Sequence, residues 1–415
     1  MGLLTLPPEL ILQILRCRPT VSKEEQRFLG ACRMTCKVMS TITVPIMFHE
    51  ISLGSASDWQ DQIGPQERVQ AFRSLLEVDP HLATHIKSFT IFTNDWQPFL
   101  ASSDLEVVIR KLQRVTHFTL SVFTIKPKLR WSQLTESLVG ALEVMCNLPS
   151  IVYLQFQGIV DLPLFRLIQS RSNLEELNLY HITLDLQGHG IPTTRLKSLR
   201  LLNVCPSSSQ NIEPLFNAPL LRNLEQFHAY FSSPDKIEQV QMIMEHAQET
   251  LKRLTLQMWY TMDEEWMSNN ISRFFKHSLP ALESVSIDGY SHRIFSSDIS
   301  TENVPHLLNQ VAQSSFTIKH VSVFGTPPYK TIRQENAIWL EIDRVLCQKY
   351  LRLEELIVQC NDDMFQRDSP EQVHNAIKAV RSVLGGVLGA LKASIRLRIL
   401  TRGEESEKGD ILIVD

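Results

Sequence analysis

Residues 174–179 read LEELNL, with Leu174, Leu177 and Leu179 separated by three and then two positions. Side chains of an extended chain alternate between faces, so Leu177 and Leu179 point one way while Glu176, Asn178 and Tyr180 point the other. So short a strand is not stable alone and needs neighbours that bury the same two positions. The spacing recurs. Upstream stand Ile86-Phe89-Ile91, Val115-Phe118-Leu120 and Ile151-Leu154-Phe156. Downstream come Leu196-Leu199-Leu201, Leu224-Phe227-Ala229, Leu251-Leu254-Leu256, Leu282-Val285-Ile287, Ile318-Val321-Val323 and Leu353-Leu356-Val358. A Leu-rich helical protein produces one or two such triplets by accident, whereas ten in order specify a repeat.

Successive triplets start 22 to 36 residues apart, around the upper end of leucine-rich-repeat periods. Between them lie stretches with helical period: Val69, Phe72, Leu75 and Leu76; Leu134, Leu138, Leu142 and Met145; Ile237, Val240, Ile243 and Met244; Ile338, Ile342, Val345 and Leu346. Each unit is then a strand followed by a helix that crosses over to the next parallel strand. The expected fold is α/β: an irregular leucine-rich-repeat solenoid over residues 86–403, with a curved parallel sheet and convex helices. Each inward residue contributes roughly 1.5–3 kcal/mol before the entropy of ordering the chain is subtracted. The Asn that follows the strand in regular repeats is mostly missing, Asn203 being the closest approach, so irregular loops are expected. Ile395-Leu397-Ile399 is expected to cover the last sheet edge, and residues 404–415 to form a charged tail.

The chain has 415 residues, 43% hydrophobic and 21% charged, which suits a folded protein with a large core. A net charge of -4 and the lack of a long Lys/Arg run argue against a nucleic-acid partner. Seven cysteines, odd in number and without a C-x-x-C pair, read as reduced thiols and an intracellular setting, cytoplasmic or nuclear. The apolar start MGLLTLPPELILQIL carries Glu9 and Pro7-Pro8, lacks a basic start and has Leu6 where a myristoylation signal needs Ser or Thr. The apolar stretch 380–393 contains Arg381 and Lys392 and is too short to cross a bilayer, so no membrane partner is expected.

Residues 3–53 do not follow the repeat, and residues 1–55 are expected to form a separate helical domain. Pro7 and Pro8 suit a first helical turn, and Leu10, Ile11, Ile14 and Leu15 make one apolar stripe behind them. Leu29, Cys32, Cys36 and Met39 then mark a second helix, which Pro45 is expected to break before a short ISL strand. Fewer than sixty residues with this much apolar helix surface cannot enclose all of it. In order, Leu6-Pro7-Pro8-Glu9-Leu10, then Cys32, Cys36 and Lys37, then Pro45, Phe48, Ile51 and Leu53, resemble the F-box. With residues 56–85 as a linker helix, the whole is similar to fungal F-box proteins with divergent leucine-rich repeats. Met39 departs from the aromatic usual in helix two. The resemblance implies docking on the Skp-type linker protein, and through it a cullin, of a ubiquitin ligase. It assigns the contacts to Leu6, Pro7, Glu9, Leu10, Ile11, Ile14, Leu15, Leu29, Cys36, Lys37 and Met39. The alternative is a helical cap on the repeat array.

No phosphate-cradling loop, zinc-protease helix or nucleophile elbow stands in the chain. Asp288, Tyr290, Ser291 and His292 hold residue types used in nucleophilic triads, but so close together they suit a loop better than a triad. Cys32 and Cys36, one helical turn apart, suit packing better than a metal. No catalytic residue, cofactor or metal is assigned. The informative surface is the face opposite the inward residues, where Phe92, His117, Tyr153, Tyr180, Arg200, His228, Tyr230, Arg253, Asp288, His320 and Phe324 stand among Ser, Thr and Gln. Aromatics and arginines are enriched in binding hot spots, so this row, Asp288 excepted, is the candidate site for a protein substrate. Arg200 and Arg253, with His228 between them, are expected about 10 Å apart, in reach of an acidic or phosphorylated segment. The expected function is therefore a non-catalytic substrate receptor of a ubiquitin ligase. The alternatives are a repeat scaffold outside any ligase, or an enzyme with a dispersed site.

Overall fold

The computed structural model describes residues 23–54, 64–93, 100, 102–123, 129–168, 173–185, 196–202, 205–206, 219–231, 235–259, 275, 277–290, 303–324, 332–360 and 396–401. The chain forms two compact units, one comprising Met1–Arg195 with Val204–Pro219 and the other Leu196–Asn203 with Leu220–Asp415. Both are α/β with an all-parallel sheet.

In the first unit β1 (Glu50–Gly54), β2 (Ser88–Thr93), β3 (His117–Val122), β5 (Tyr153–Gln157) and β7 (Glu176–Tyr180) lie side by side. Each triplet sits where alternation puts it: Phe89, Phe118, Leu154 and Leu177 form one cross-strand row and Ile91, Leu120, Phe156 and Leu179 the next, all fully buried. The Phe118 ring stacks on Phe89 at 6.2 Å and meets Phe156 edge-on at 6.4 Å, binding neighbouring strands beyond their shared area. Helices α3 (Pro65–Val78), α5 (Ser103–Lys111) and α6 (Glu136–Cys146) connect the strands and pack on one another in order. Their buried stripes are Val69, Phe72 and Leu76; Leu105, Val108 and Ile109; and Leu138, Leu142 and Met145. Leu134 belongs to the approach to α6 rather than the helix, whose start is capped by Thr135 accepting the Leu138 N–H at 3.2 Å. Between α3 and β2 lies the single turn α4 (Leu82–His85).

Where the period shortens to 23 residues there is room only for α7 (Leu164–Ile168), and the chain compensates with a second layer of pairing. Two-residue strands follow the main ones: β4 (Leu129–Arg130) pairs with β6 (Ile159–Val160), and β8 (Thr183–Leu184) with β10 (Cys205–Pro206), all parallel. Gly158, between β5 and β6, has φ +74°, and a Cβ there would lie 1.9 Å from the Val122 carbonyl oxygen. Only glycine lets the chain turn so close to the previous strand.

The second unit repeats the plan with β9 (Ser198–Leu202), β11 (Gln226–Phe231), β12 (Arg253–Trp259), β13 (Ser284–Tyr290), β14 (His320–Phe324), β15 (Glu355–Cys360) and β16 (Arg396–Thr401). Leu199, Phe227, Leu254, Val285, Val321 and Leu356 share one buried row, and Leu201, Ala229, Leu256, Ile287, Val323 and Val358 the other. Leu397 and Ile399 continue these rows as partners of Leu356 and Val358, so β16 takes the end of the sheet. Helices α8 (Asp235–His246), α9 (Asn303–Ser314) and α10 (Ile332–Lys349) serve as crossovers, burying Ile237, Val240, Ile243 and Met244, then Val304, Leu307 and Val311, then Ile342, Val345 and Leu346.

The missing Asn is replaced by donors standing before the strands. Ser150 donates to the Val115 carbonyl at 2.6 Å, Asn173 to Pro149 at 2.9 Å, Thr250 to Leu224 at 2.9 Å and Thr317 to Leu282 at 2.8 Å. Each satisfies a turn carbonyl of the preceding repeat, as buried backbone groups require.

The N-terminal segment departs from expectation in two ways. Its helix breaks at Cys36, not at Pro45: α1 (Lys23–Thr35) and α2 (Lys37–Met47) are separate, and Cys36 is extended at φ -165° with its sulfur accepting the Met39 N–H at 3.5 Å. Pro45 sits in the last turns of α2, where the missing N–H frees a single carbonyl. Secondly, Phe48, Ile51 and Leu53 have the triplet spacing themselves, and β1 pairs with β2 so that Ile51 faces Phe89 and Leu53 faces Ile91. A boundary at residue 55 therefore falls inside one sheet.

Candidate functional site

On the first unit, alternation sets Ser88, His117, Tyr153 and Glu176 in one row, Thr90, Thr119, Gln155 and Asn178 in the next, and Phe92, Ser121, Gln157 and Tyr180 in the third. His117 is exposed, while Phe92, Tyr153 and Tyr180 are half-buried. The His117 and Tyr153 rings lie 5.4 Å apart, tilted by 31°. The Tyr153 hydroxyl donates to Gln155 Oε1 at 2.6 Å and accepts from Asn178 Nδ2 at 2.8 Å, and Ser121 donates to Gln157 Oε1 at 2.8 Å. Alternation places Gln155, Gln157 and Asn178 on this face in the sequence too, but attention to aromatic and charged residues passes over them. The result is a set of held amides and hydroxyls suited to hydrogen-bonding a polypeptide. Among the described strand residues on this face there is no Lys or Arg; Glu50 and Glu176 are its acids.

The second unit presents a different chemistry. Its rows run Ser198, Gln226, Arg253, Ser284, His320 and Glu355, then Arg200, His228, Thr255, Ser286, Ser322 and Ile357. Arg200 and His228 are direct neighbours, but Arg253 lies one row away, beside Gln226. The expected 10 Å between the arginines omits this offset; two strands across and two residues along, their Cα atoms are about 12 Å apart. Both arginines are exposed. His228 is half-buried, its Nε2 3.3 Å from Gln257 Oε1. Burial, and next the Arg200 charge, push its pKa down to about 4 against the pull of the Gln257 bond, so the ring is neutral at pH 7. His320 Nδ1 lies 3.6 Å from Glu355. Ser322 Oγ is buried without a hydrogen-bond partner. Tyr230 and Phe324 stand in register with Gln257 and Asp288.

Asp288, Gly289 and Tyr290 are strand, not loop, and neighbouring strand positions face opposite ways; Ser291 and His292 lie outside the described residues. Cys32 and Cys36 pack on Met39 and Ile42. Among the described residues there is no group of three or more His, Cys, Asp or Glu side chains placed to hold a metal ion, and no helix long and apolar enough to cross a membrane.

Of the expected N-terminal contacts, Leu6, Pro7, Glu9, Leu10, Ile11, Ile14 and Leu15 lie outside the described residues. Leu29 and Met39, 5% and 3% exposed, are part of the buried core. Cys36 is half-buried in its capping role and Lys37 is exposed. Among the described residues of this segment, the exposed large apolar side chains are Phe28, Met34 and Val38, at 47%, 84% and 54%. Phe28 and Val38 each stand one residue from a buried stripe residue, and the helix break at Cys36, which no periodicity reveals, decides which face turns outward.

No protein-family model matches the chain, and no curated protein matches it.

Proposed function

We propose that the chain is the substrate-receptor subunit of a Skp–cullin–F-box ubiquitin ligase, its repeats forming a leucine-rich-repeat-like solenoid. The N-terminal segment docks on the Skp-type linker, and the polar sheet face holds a protein target. The observation that carries the reading is the constant cross-strand register: inward triplets build the core, and the alternate positions are left as rows of side chains that the core does not use. Such a face suits recognition of a polypeptide. The F-box-like order of residues 6–53 and the exposed Phe28, Met34, Lys37 and Val38 support the docking role.

One observation favours a second reading, a repeat scaffold outside any ligase. The segment runs straight into β1, and α2 packs on α4, as a structural cap does. Co-purification of the linker protein with the full chain separates the two. Leu10→Asp and Ile14→Asp each put an unpartnered carboxylate into the apolar stripe and are expected to abolish capture without lowering the melting temperature. Capture at the parental level by both variants, or none by the parent, selects the scaffold.

A further inference from the structure

We infer that the polar face of the second unit binds an acidic segment of a partner polypeptide, Arg200 and Arg253 each taking one carboxylate. The inference rests on the reading of that face as the recognition surface and names its ligand. Three strands, β9, β11 and β12, set Ser198 and Arg200, Gln226 and His228, and Arg253 and Thr255 in a lattice two residues deep. The arginines occupy opposite corners and both are exposed. No Asp or Glu stands in that lattice; among the residues whose side chains are described, the acid of this face is Glu355 on β15, beside His320. Among those side chains positive charge is therefore concentrated over β9–β12.

The spacing selects the ligand. An extended peptide advances about 3.3–3.6 Å per residue and repeats its facing side every second residue. Carboxylates four residues apart then face the same way at about 13–14 Å, close to the arginine separation of about 12 Å. Gln226 and His228 of the middle strand lie between the arginines, where a peptide backbone would pass, and Ser198 and Thr255 hold the other two corners. His228, kept neutral by burial and by Arg200, adds a hydrogen-bonding edge without adding charge. The first unit's face, without Lys or Arg among its described strand residues, offers no such complement.

The test uses the full chain and fluorescein-labelled Gly/Ser peptides carrying two glutamates four residues apart, their Gln counterparts, or phosphoserines at the same places. Fluorescence anisotropy is read at low and high salt. The Glu peptide is expected to bind at least about tenfold tighter than the Gln peptide. Arg200→Ala with Arg253→Ala removes that preference and flattens the salt dependence, while Arg110→Ala, on α5 of the first unit and away from either sheet face, leaves both unchanged. The paired Lys substitutions keep the charge and most of the affinity, which separates lost charge from lost fold. Equal binding of Glu and Gln peptides, an unaffected arginine double variant, or no binding by any peptide overturns the proposal. A preference of more than about tenfold for phosphoserine overturns it in favour of a phosphate site. Linker capture by the full chain rests on the N-terminal segment and is untouched by these variants, so either proposal can fail alone.

Discussion

Leu177 and Tyr153 are separated by one row and by opposite roles. Leu177 is fully buried, so Leu177→Ala leaves a cavity and is expected to cost about 2–5 kcal/mol. Tyr153 faces the other way and is half-buried, yet it packs against His117 and bonds Gln155 and Asn178. Tyr153→Ala is therefore not silent: one ring contact and two hydrogen bonds put its expected cost at about 1–2 kcal/mol. Thermal melts of the two variants should rank them in that order, and a larger loss for Tyr153→Ala would mean the network stabilises the fold more than it shapes a surface. Identity and parity together mark Leu177 as core from the sequence. The network around Tyr153 is not legible there, because it depends on which strands become neighbours and in what register.

The strands are the legible elements, since ten triplets on one spacing leave little freedom for the residues they bury. The eleventh, Phe48-Ile51-Leu53, carries the same spacing but also fits the exit of the F-box-like order, which hides its place as an end strand of the same sheet. Helices whose stripes follow period 3.6 are legible as well. The break at Cys36 is not, because a cysteine N-cap carries no strong local signal. Turns are readable only where a glycine is forced. Gly158→Ala places a methyl group against the Val122 carbonyl at positive φ and is expected to destabilise the chain by at least about 2 kcal/mol. Gly30 lies inside α1, where an added methyl group would meet nothing within 4 Å, so Gly30→Ala should stabilise the chain by about 0.5–1 kcal/mol. Circular-dichroism melts of both variants test the pair, and equal effects would discard the contrast between turn and helix.

At the scale of the molecule, His228 links the stability of the second unit to acid. The unfolded His228 titrates near 6.5 and the folded one near 4, so between these values the unfolded chain binds the extra proton. Stability from this group is complete above about pH 6.5 and is lost progressively as the pH falls to about 4, by at most about 3 kcal/mol. Hydrogen exchange should show β11 and β12 losing protection over that window, and His228→Gln should remove this part of the acid response. A Gln variant with the parental pH profile would place the sensitivity elsewhere. The constant register has a consequence of another kind. Along each strand, alternate letters spell separate messages, one written into the core and the other onto the opposite face. Changing a letter of the second leaves the first in place, whereas the loss of one strand residue would scramble both texts at once.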